Sequence, residues 1–428
     1  MPIIHAGGRD LIITDNLLIE YLDDFIKQII DANVKRILLL PPDHTRLYSK
    51  AGFITDYLYR ILSKDCEIDI MPALGTHVPM NEKQLHMMFG NNIPTNVYLP
   101  HRWRDDLKEL GIIPGSRLSE LSEGKVDYEV QIAVNKILFD GNYDRIISIG
   151  QIVPHEVIGM ANYTKNILIG IGGGDSIHKS HFLGAVAGME GIMGQIDTPV
   201  RRILNEGFEK YLSHLPIYFM HTVLEKVGDE MLLRGFYAGQ DETTFSEAAK
   251  LSQQCNINLL DKPIKKAVVY LDPKEFSSTW LGNKAIYRTR MAMADNGELI
   301  ILAPKVETFG EDPEIDKLIR EFGYKGTHRT LQSLKESSQL ANNLSAAAHL
   351  IHGSSEGRFS ITYCPGHLSQ TEIESVGFQY AELDEILEKY PIQSFQDGFN
   401  TLENGEEIFY VSNPAAGLWA VKNKFYNS

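Results

Sequence analysis

Residues 34–46 read VKRILLLPPDHTR: an unbroken apolar run, two prolines that end it, then an acid, an imidazole, a hydroxyl and a guanidinium. An apolar run without alternation suits a strand buried on both faces, and proline stops its pairing. The same order recurs in EIDIMPAL followed by GTHVPM at 67–80, in DRIISIG followed by QIVPHE at 144–156, and in KNILIGI followed by GGGDS at 165–176. Each reads as a strand, a loop and a helix, and that alternation specifies an open parallel sheet covered by helices. Ligands in such sheets bind beyond the carboxyl ends of the strands, so the loops are where a site is built.

A second set begins at DKPIKKAVVYLDP, residues 261–273, and continues through NGELIILAP and GRFSITYCP. The stretch TTFSEAAKLSQQCNINLLDKP before it reads as a helix and a connector. The sequence therefore predicts an α/β fold of two Rossmann-like domains with mainly parallel sheets. Residues 1–262 would carry the cofactor and catalytic groups, residues 263–428 would form the second domain, and the site would lie in the cleft between them. The last segment, NPAAGLWAVKNKFYNS, reads as a helix packed on either domain.

Composition narrows the function. The 428 residues carry a formal charge of -15, which argues against a broad nucleic-acid or anionic-membrane surface. Small anions can still be held locally by arginine and helix N-termini. Cys66, Cys255 and Cys364 are odd in number and far apart, which gives neither a disulfide framework nor a thiolate zinc site. The start, MPIIHAGGRDLIITD, lacks the pattern of a secretion leader, and no run approaches the roughly 18 apolar residues of a membrane span. A soluble, cytoplasmic protein is expected.

Four loops carry candidate chemistry. Asp43, Thr45 and Arg46 in PPDHTR suit a phosphate or carboxylate, the alternative being Asp43 as a helix cap paired with Arg46. His77 in ALGTHVPM ends the second strand, where an imidazole can serve as acid or base near neutral pH, unless it is an idle surface side chain. In PHEVIGMANYTK, His155 stands beside Glu156, and Lys165 lies just before the expected strand NILIGI. Such a lysine is a nucleophile, an anion clamp, a covalent anchor, or a solvated side chain. In GIGGGDSIHKSH the glycines allow close approach of a ligand, yet Asp175 stands where the dinucleotide fingerprint needs a third glycine, which disfavours a standard NAD fold. His178 and His181 share a helix face if a turn forms, and with Asp175 they keep a metallohydrolase open.

In their order and spacing these motifs, from DHTR through GTHVPM, PHE and the lysine to KSH, resemble the nickel-dependent lactate racemase family of 2-hydroxyacid racemases and epimerases. The resemblance runs over most of the chain and is looser in the second domain. It implies a nickel-pincer nucleotide, a pyridinium-3,5-bisthiocarboxylic acid mononucleotide holding nickel, bound covalently to Lys165. That lysine stands ten residues after His155, and His181, sixteen residues beyond it, would ligate the metal. Thr45, Gly172 and Gly173 would line the cofactor. His77 and His155 would be the acid/base pair, and Asp43 and Arg46 would meet substrate. The implied reaction is a transient hydride transfer from C2 to the cofactor, followed by return to the other face.

Two departures bear on the substrate. Many relatives carry Ser-Gly-Gly near the lysine where this chain has GMANYTK, and a glutamine and a lysine where KAIYRTRMAMADNGELIILAP places Arg288, Arg290 and Met291. A sugar acid or dicarboxylic hydroxyacid rather than lactate is therefore expected, with Arg288, Arg290 and Trp280 as substrate contacts and Tyr287 beside them. The expected partners are that small molecule, the enzymes that make the cofactor, and a second copy of the chain in a homodimer. Two alternatives stay open: a metallohydrolase using Asp175, His178 and His181, and a cofactor-free ligand-binding homologue.

Overall fold

The computed structural model describes residues 3–228 and 230–426. The chain forms two compact units, one comprising the chain through Leu183 together with Ile192–Asn256, the other Gly184–Gly191 together with everything from Ile257 onward. Both are α/β.

The first unit is built on a six-stranded sheet in the order Ile4–Gly7, Glu230–Gly239, Ile217–Val227, Arg145–Gln151, Arg36–Leu40, Glu67–Ile70. The last four strands are mutually parallel, and the first three form an antiparallel edge. Ile37, Leu38, Leu39 and Leu40 are fully buried, which is why that strand is apolar at every position rather than every other one. The chain leaves Arg36–Leu40 for Glu67–Ile70 on one side, and Arg145–Gln151 lies on the other. A crevice opens where strand connections diverge in this way, at the carboxyl ends.

Helices cover the sheet. Thr14 caps Asp15–Ile29, which buries Leu18, Leu22, Phe25 and Ile29 at helical spacing. Each such side chain contributes about 1.5–3 kcal/mol on burial. Thr198 caps Pro199–Leu212, whose buried face of Val200, Ile203, Leu204, Gly207, Phe208 and Leu212 also contains Arg201.

Two sequence expectations are corrected here, and one pair of strands is added to them. KNILIGI is not a strand, because Thr164–Leu168 is a short helix that buries Thr164, Ile167 and Leu168. A continuous apolar run fits a buried helix as well as a buried strand, and the left-handed residues Asn162 and Tyr163 turn the chain straight into the helix. The long pair Ile217–Val227 and Glu230–Gly239 is antiparallel, outside the repeated strand and helix units. The closing segment is mostly not helical: Trp419–Val421 pairs with Asn258–Leu260, and only Lys422–Phe425 forms a helical turn.

The second unit has its own six-stranded sheet, in the order Gln379–Tyr380, Ser360–Pro365, Met293–Ala303, Ile264–Tyr270, Glu407–Val411, Gly398–Thr401, parallel except at the last pair. Gly184–Gly191 joins this unit, where Glu190 accepts hydrogen bonds from Arg290 and Arg358. Among the described residues no helix is long and apolar enough to cross a membrane.

Candidate active site

A cavity of about 300 Å³ opens at the carboxyl ends of the parallel strands of the first unit. Asp43, Thr45 and Arg46 enter from the loop after Arg36–Leu40, and Gly75, Thr76 and His77 from the loop after Glu67–Ile70. Gly150, Gln151 and His155 follow from the third strand and the small hairpin of Pro154–His155 with Gly159–Met160. Lys165, Asn166 and Gly170 come from the short helix and its exit, and Ile177 and His181 from the helix Gly174–Ala187. Gly75 has φ +58°, and its N–H binds the Gly170 carbonyl, so two walls of the cavity are tied together through backbone.

His77 and Asp43 form a pair. The ring Nδ1 lies 2.7 Å from the Asp43 carboxylate, whose other oxygen accepts from the Thr45 N–H at 3.0 Å and from the Thr45 hydroxyl. Asp43 thus caps its own loop, but its ionic partner is His77 and not Arg46. The hydrogen bond to Asp43 raises His77 above its ordinary value against the opposing effect of burial. Burial pushes Asp43 up, and the bonds from His77 and Thr45 outweigh it, so the carboxyl ends below its usual range. With Nδ1–H held by the carboxylate, Nε2 of the exposed ring is the basic atom.

His155 and Lys165 form the second pair, with Nε2 and Nζ 3.1 Å apart. The Val157 N–H donates to His155 Nδ1 at 3.1 Å, so the neutral ring carries its proton on Nε2 and offers it to the amine. This arrangement needs the free-base form of Lys165. Burial, followed by the nearby charge of Arg46, lowers the lysine to about 8, and burial with the Lys165 charge holds His155 well below its ordinary value. The free amine is therefore accessible close to neutral pH.

His181 is prepared differently. Its Nδ1 donates to the Ile177 carbonyl at 2.6 Å, which leaves the Nε2 lone pair uncommitted. Burial lowers the ring to about 4, so it is neutral at physiological pH, as a metal ligand must be. Arg46, at the rim, has no ion-pair or hydrogen-bond partner for its guanidinium among the described residues and is free to bind an anion.

Other nominated residues lie elsewhere. Gly172 and Gly173 do not line the cavity. They pack against the Leu107–Ile113 and Val130–Asn135 ribbon, where Gly173 N–H binds Ala133 O and Gly172 O accepts from His101. A Cβ at Gly172 would stand 1.9 Å from Leu168 O, so chain packing requires this glycine, and Gly170 takes the place in the wall. Asp175, His178 and His181 do not gather as a metal site: Asp175 accepts from Gln131 N–H at 2.8 Å and pairs with Lys179 at 2.6 Å. Among the described residues no group of three His, Cys, Asp or Glu side chains could hold a metal ion.

Arg288, Arg290 and Trp280 belong to the second unit. Trp280 stacks on His349 at 4.1 Å, Arg290 is 2% exposed and bound to Glu190, and Arg288 is half-buried with no hydrogen bond to its Nε.

Sequence reasoning missed a layer behind Lys165. Asn162 donates to His221 Nδ1 at 3.0 Å, and Arg201 donates to the Asn162 and Met160 carbonyls and to Thr164 Oγ1. Asn162 and Tyr163 have φ of +66° and +60°, a conformation costing about 1–2 kcal/mol per residue without glycine. The available signal was an arginine on the apolar face of Pro199–Leu212.

Residues 22–191 match the model of the lactate racemase N-terminal domain. This segment of the chain is similar to the lactate racemase N-terminal domain. The matched segment contains every cavity residue named above. Solved structures share the fold. A structural-genomics protein from Thermotoga maritima aligns with a TM-score of 0.76 at 24% identity, over 97% of this chain and 100% of that one. The lactate racemase apoprotein from Thermoanaerobacterium thermosaccharolyticum aligns with a TM-score of 0.68 at 15% identity, over 93% of this chain and 92% of that one. A comparison with curated protein sequences gave no match.

Proposed function

We propose that this lactate racemase relative inverts the C2 hydroxyl of a 2-hydroxyacid with a nickel-pincer nucleotide held on Lys165. The observation that carries the proposal is the convergence on one cavity of two differently tuned histidines, a lysine that bonds as a free amine, a histidine with an uncommitted Nε2, and an unpaired arginine.

The residues fit the group. Lys165 Nζ would tether the nucleotide and His181 Nε2 would be the protein's ligand to its nickel. When bound, the group supplies reversible acceptance of hydride from C2. Arg46 holds the substrate carboxylate and orients the reacting carbon. His77 Nε2 removes or returns the hydroxyl proton, with Asp43 stabilising the imidazolium that forms. His155 would perform the matching transfer for the opposite enantiomer once Nδ1 gives up the Val157 N–H and takes the ring proton, which leaves Nε2 as the basic atom. Of the two arginines behind the expectation of an extra carboxylate or hydroxyl on the substrate, Arg290 is committed to Glu190 and neither lines the cavity, so the preference for sugar acids or dicarboxylic hydroxyacids rests on the sequence alone.

The test is intact-protein mass and metal content after co-production with the cofactor-making enzymes. A mass gain on Lys165 with about one nickel per chain, both lost in Lys165→Ala, is expected. An unmodified Lys165 in cells that load another member of the family would overturn the proposal. Loaded protein would then be screened on sugar acids, malate-like diacids and lactate.

A further inference from the structure

Arg201 is 1% exposed, yet among the described residues no carboxylate lies within ion-pair distance of it. A buried guanidinium without a counter-ion is costly, and it persists only where its donors are needed. One terminal nitrogen donates to the Asn162 carbonyl at 3.2 Å and to Thr164 Oγ1 at 3.0 Å, and the other donates to the Met160 carbonyl. The group lies over the Phe245 ring at 4.3 Å, which fixes its plane. These three oxygens bracket Asn162 and Tyr163, the two consecutive left-handed residues. Asparagine tolerates that conformation, whereas a bulky tyrosine rarely adopts it. Lys165 lies two residues beyond Tyr163, in the short helix Thr164–Leu168 that the turn leads into.

We infer that Arg201 is a positioning residue, which clamps the left-handed turn at Asn162–Tyr163 and so aims the Lys165 amine at His155 and the cavity. The role depends on a planar fork that reaches several oxygens at once, which a lysine ammonium cannot copy. Asn162 and Tyr163 supply further anchors: the amide is held by His221, and the tyrosine ring packs on Phe219 and Phe245. Arg201 is the one of these groups that holds the turn by its backbone carbonyls. The inference rests on Lys165 being the reactive amine of the proposed function.

The experiment uses the full chain without cofactor and compares wild type, Arg201→Met, Arg201→Lys, Asn162→Gly and the Arg201→Met/Asn162→Gly double variant. Two quantities are read: amide hydrogen exchange over residues 160–166, and the rate at which a small amine-acylating reagent modifies Lys165 relative to exposed Lys317. Arg201→Met should speed exchange of the turn about tenfold and slow Lys165 acylation relative to Lys317, because the strain of one left-handed residue is no longer held. Adding Asn162→Gly should restore both, since glycine takes a φ near +66° without a clamp. A general loss of packing would not be rescued in this way.

Wild-type exchange and acylation in Arg201→Met would overturn the assignment, as would a double variant that stays as fast-exchanging as the single one. If Arg201→Met does not fold, Arg201→Lys decides: an intermediate effect supports the clamp, and wild-type behaviour removes it. Neither readout needs nickel. A failed cofactor assay with a tight, reactive Lys165 would remove the proposed chemistry and leave the clamp standing.

Discussion

Arg46 and Arg290 both read in the sequence as substrate-binding arginines, and they stand in opposite circumstances. Arg46 is exposed at the rim of the cavity with its guanidinium unpaired. Arg290 is buried, with Nε on Glu190 at 2.9 Å and a terminal nitrogen on the carbonyls of His352 and Ser354. The histidines divide similarly. His349 directs Nε2 to Tyr324 and a ring face to Trp280, whereas His181 keeps Nε2 free inside a cavity. Residue type nominates a functional group, but unspent hydrogen-bonding capacity at an accessible place is what qualifies it.

The contrast is sharpest for the histidine pair. In loaded enzyme, His77→Ala and His155→Ala should each lower kcat by about 10²–10⁴ with little change in melting temperature, the range expected for loss of a positioned acid or base. Steady-state kinetics in both directions checks this. A single indispensable histidine would break the two-sided proton transfer.

Next come the arginines. Glu190→Ala should cost about 3 kcal/mol of stability because Arg290 loses its counter-ion inside the second unit, measured by urea unfolding. Arg46→Ala should leave stability unchanged and raise KM about 10- to 100-fold, as for loss of a charge-assisted hydrogen bond to substrate. The comparison fails if the two variants exchange phenotypes. His181→Ala should retain the mass gain on Lys165 while nickel leaves on dialysis, separating tether from metal ligand.

The smallest effect concerns pH. Asp43 raises His77 above its usual 6.5, so Asp43→Asn should move the His77 titration downward, followed by the ring NMR signals. The activity limb that needs unprotonated His77 should move to lower pH with it. For stability, the raised His77 contributes fully below 6.5 and its contribution is lost as pH rises through the folded value. Asp43, whose pKa is depressed, contributes above 3.8 and its contribution is lost as pH falls through its folded value. The pair therefore stabilises most between those two pH values, and Asp43→Asn should flatten the pH dependence of unfolding there.

Much of the site was legible because its residues cluster at the ends of apolar runs. Asp43, Thr45 and Arg46 follow VKRILLL, His77 follows EIDIMPAL and His155 follows DRIISIG, and in a parallel sheet such positions converge. What failed was local. KNILIGI carries β-branched residues in a helix, because burial of Ile167 and Leu168 outweighs propensity. Gly172 and Gly173 looked like ligand contacts, but a glycine needed for close chain packing has the same letter as one needed for a ligand. Arg201 escaped notice because it lies far along the chain from the turn it clamps.

The sequence by itself determined the α/β class, the loops that carry polar groups and the order of His155, Lys165 and His181, since these depend on pattern along the chain. Tertiary structure alone decided which polar atoms are already spent. Asp43 pairs with His77 rather than Arg46, Arg290 belongs to Glu190, and His155 donates to an amine because Val157 occupies its other nitrogen. Those outcomes depend on distances of a few ångströms between residues from separate elements, and hydrogen bonding, which fades within an ångström of its optimum, responds to nothing else.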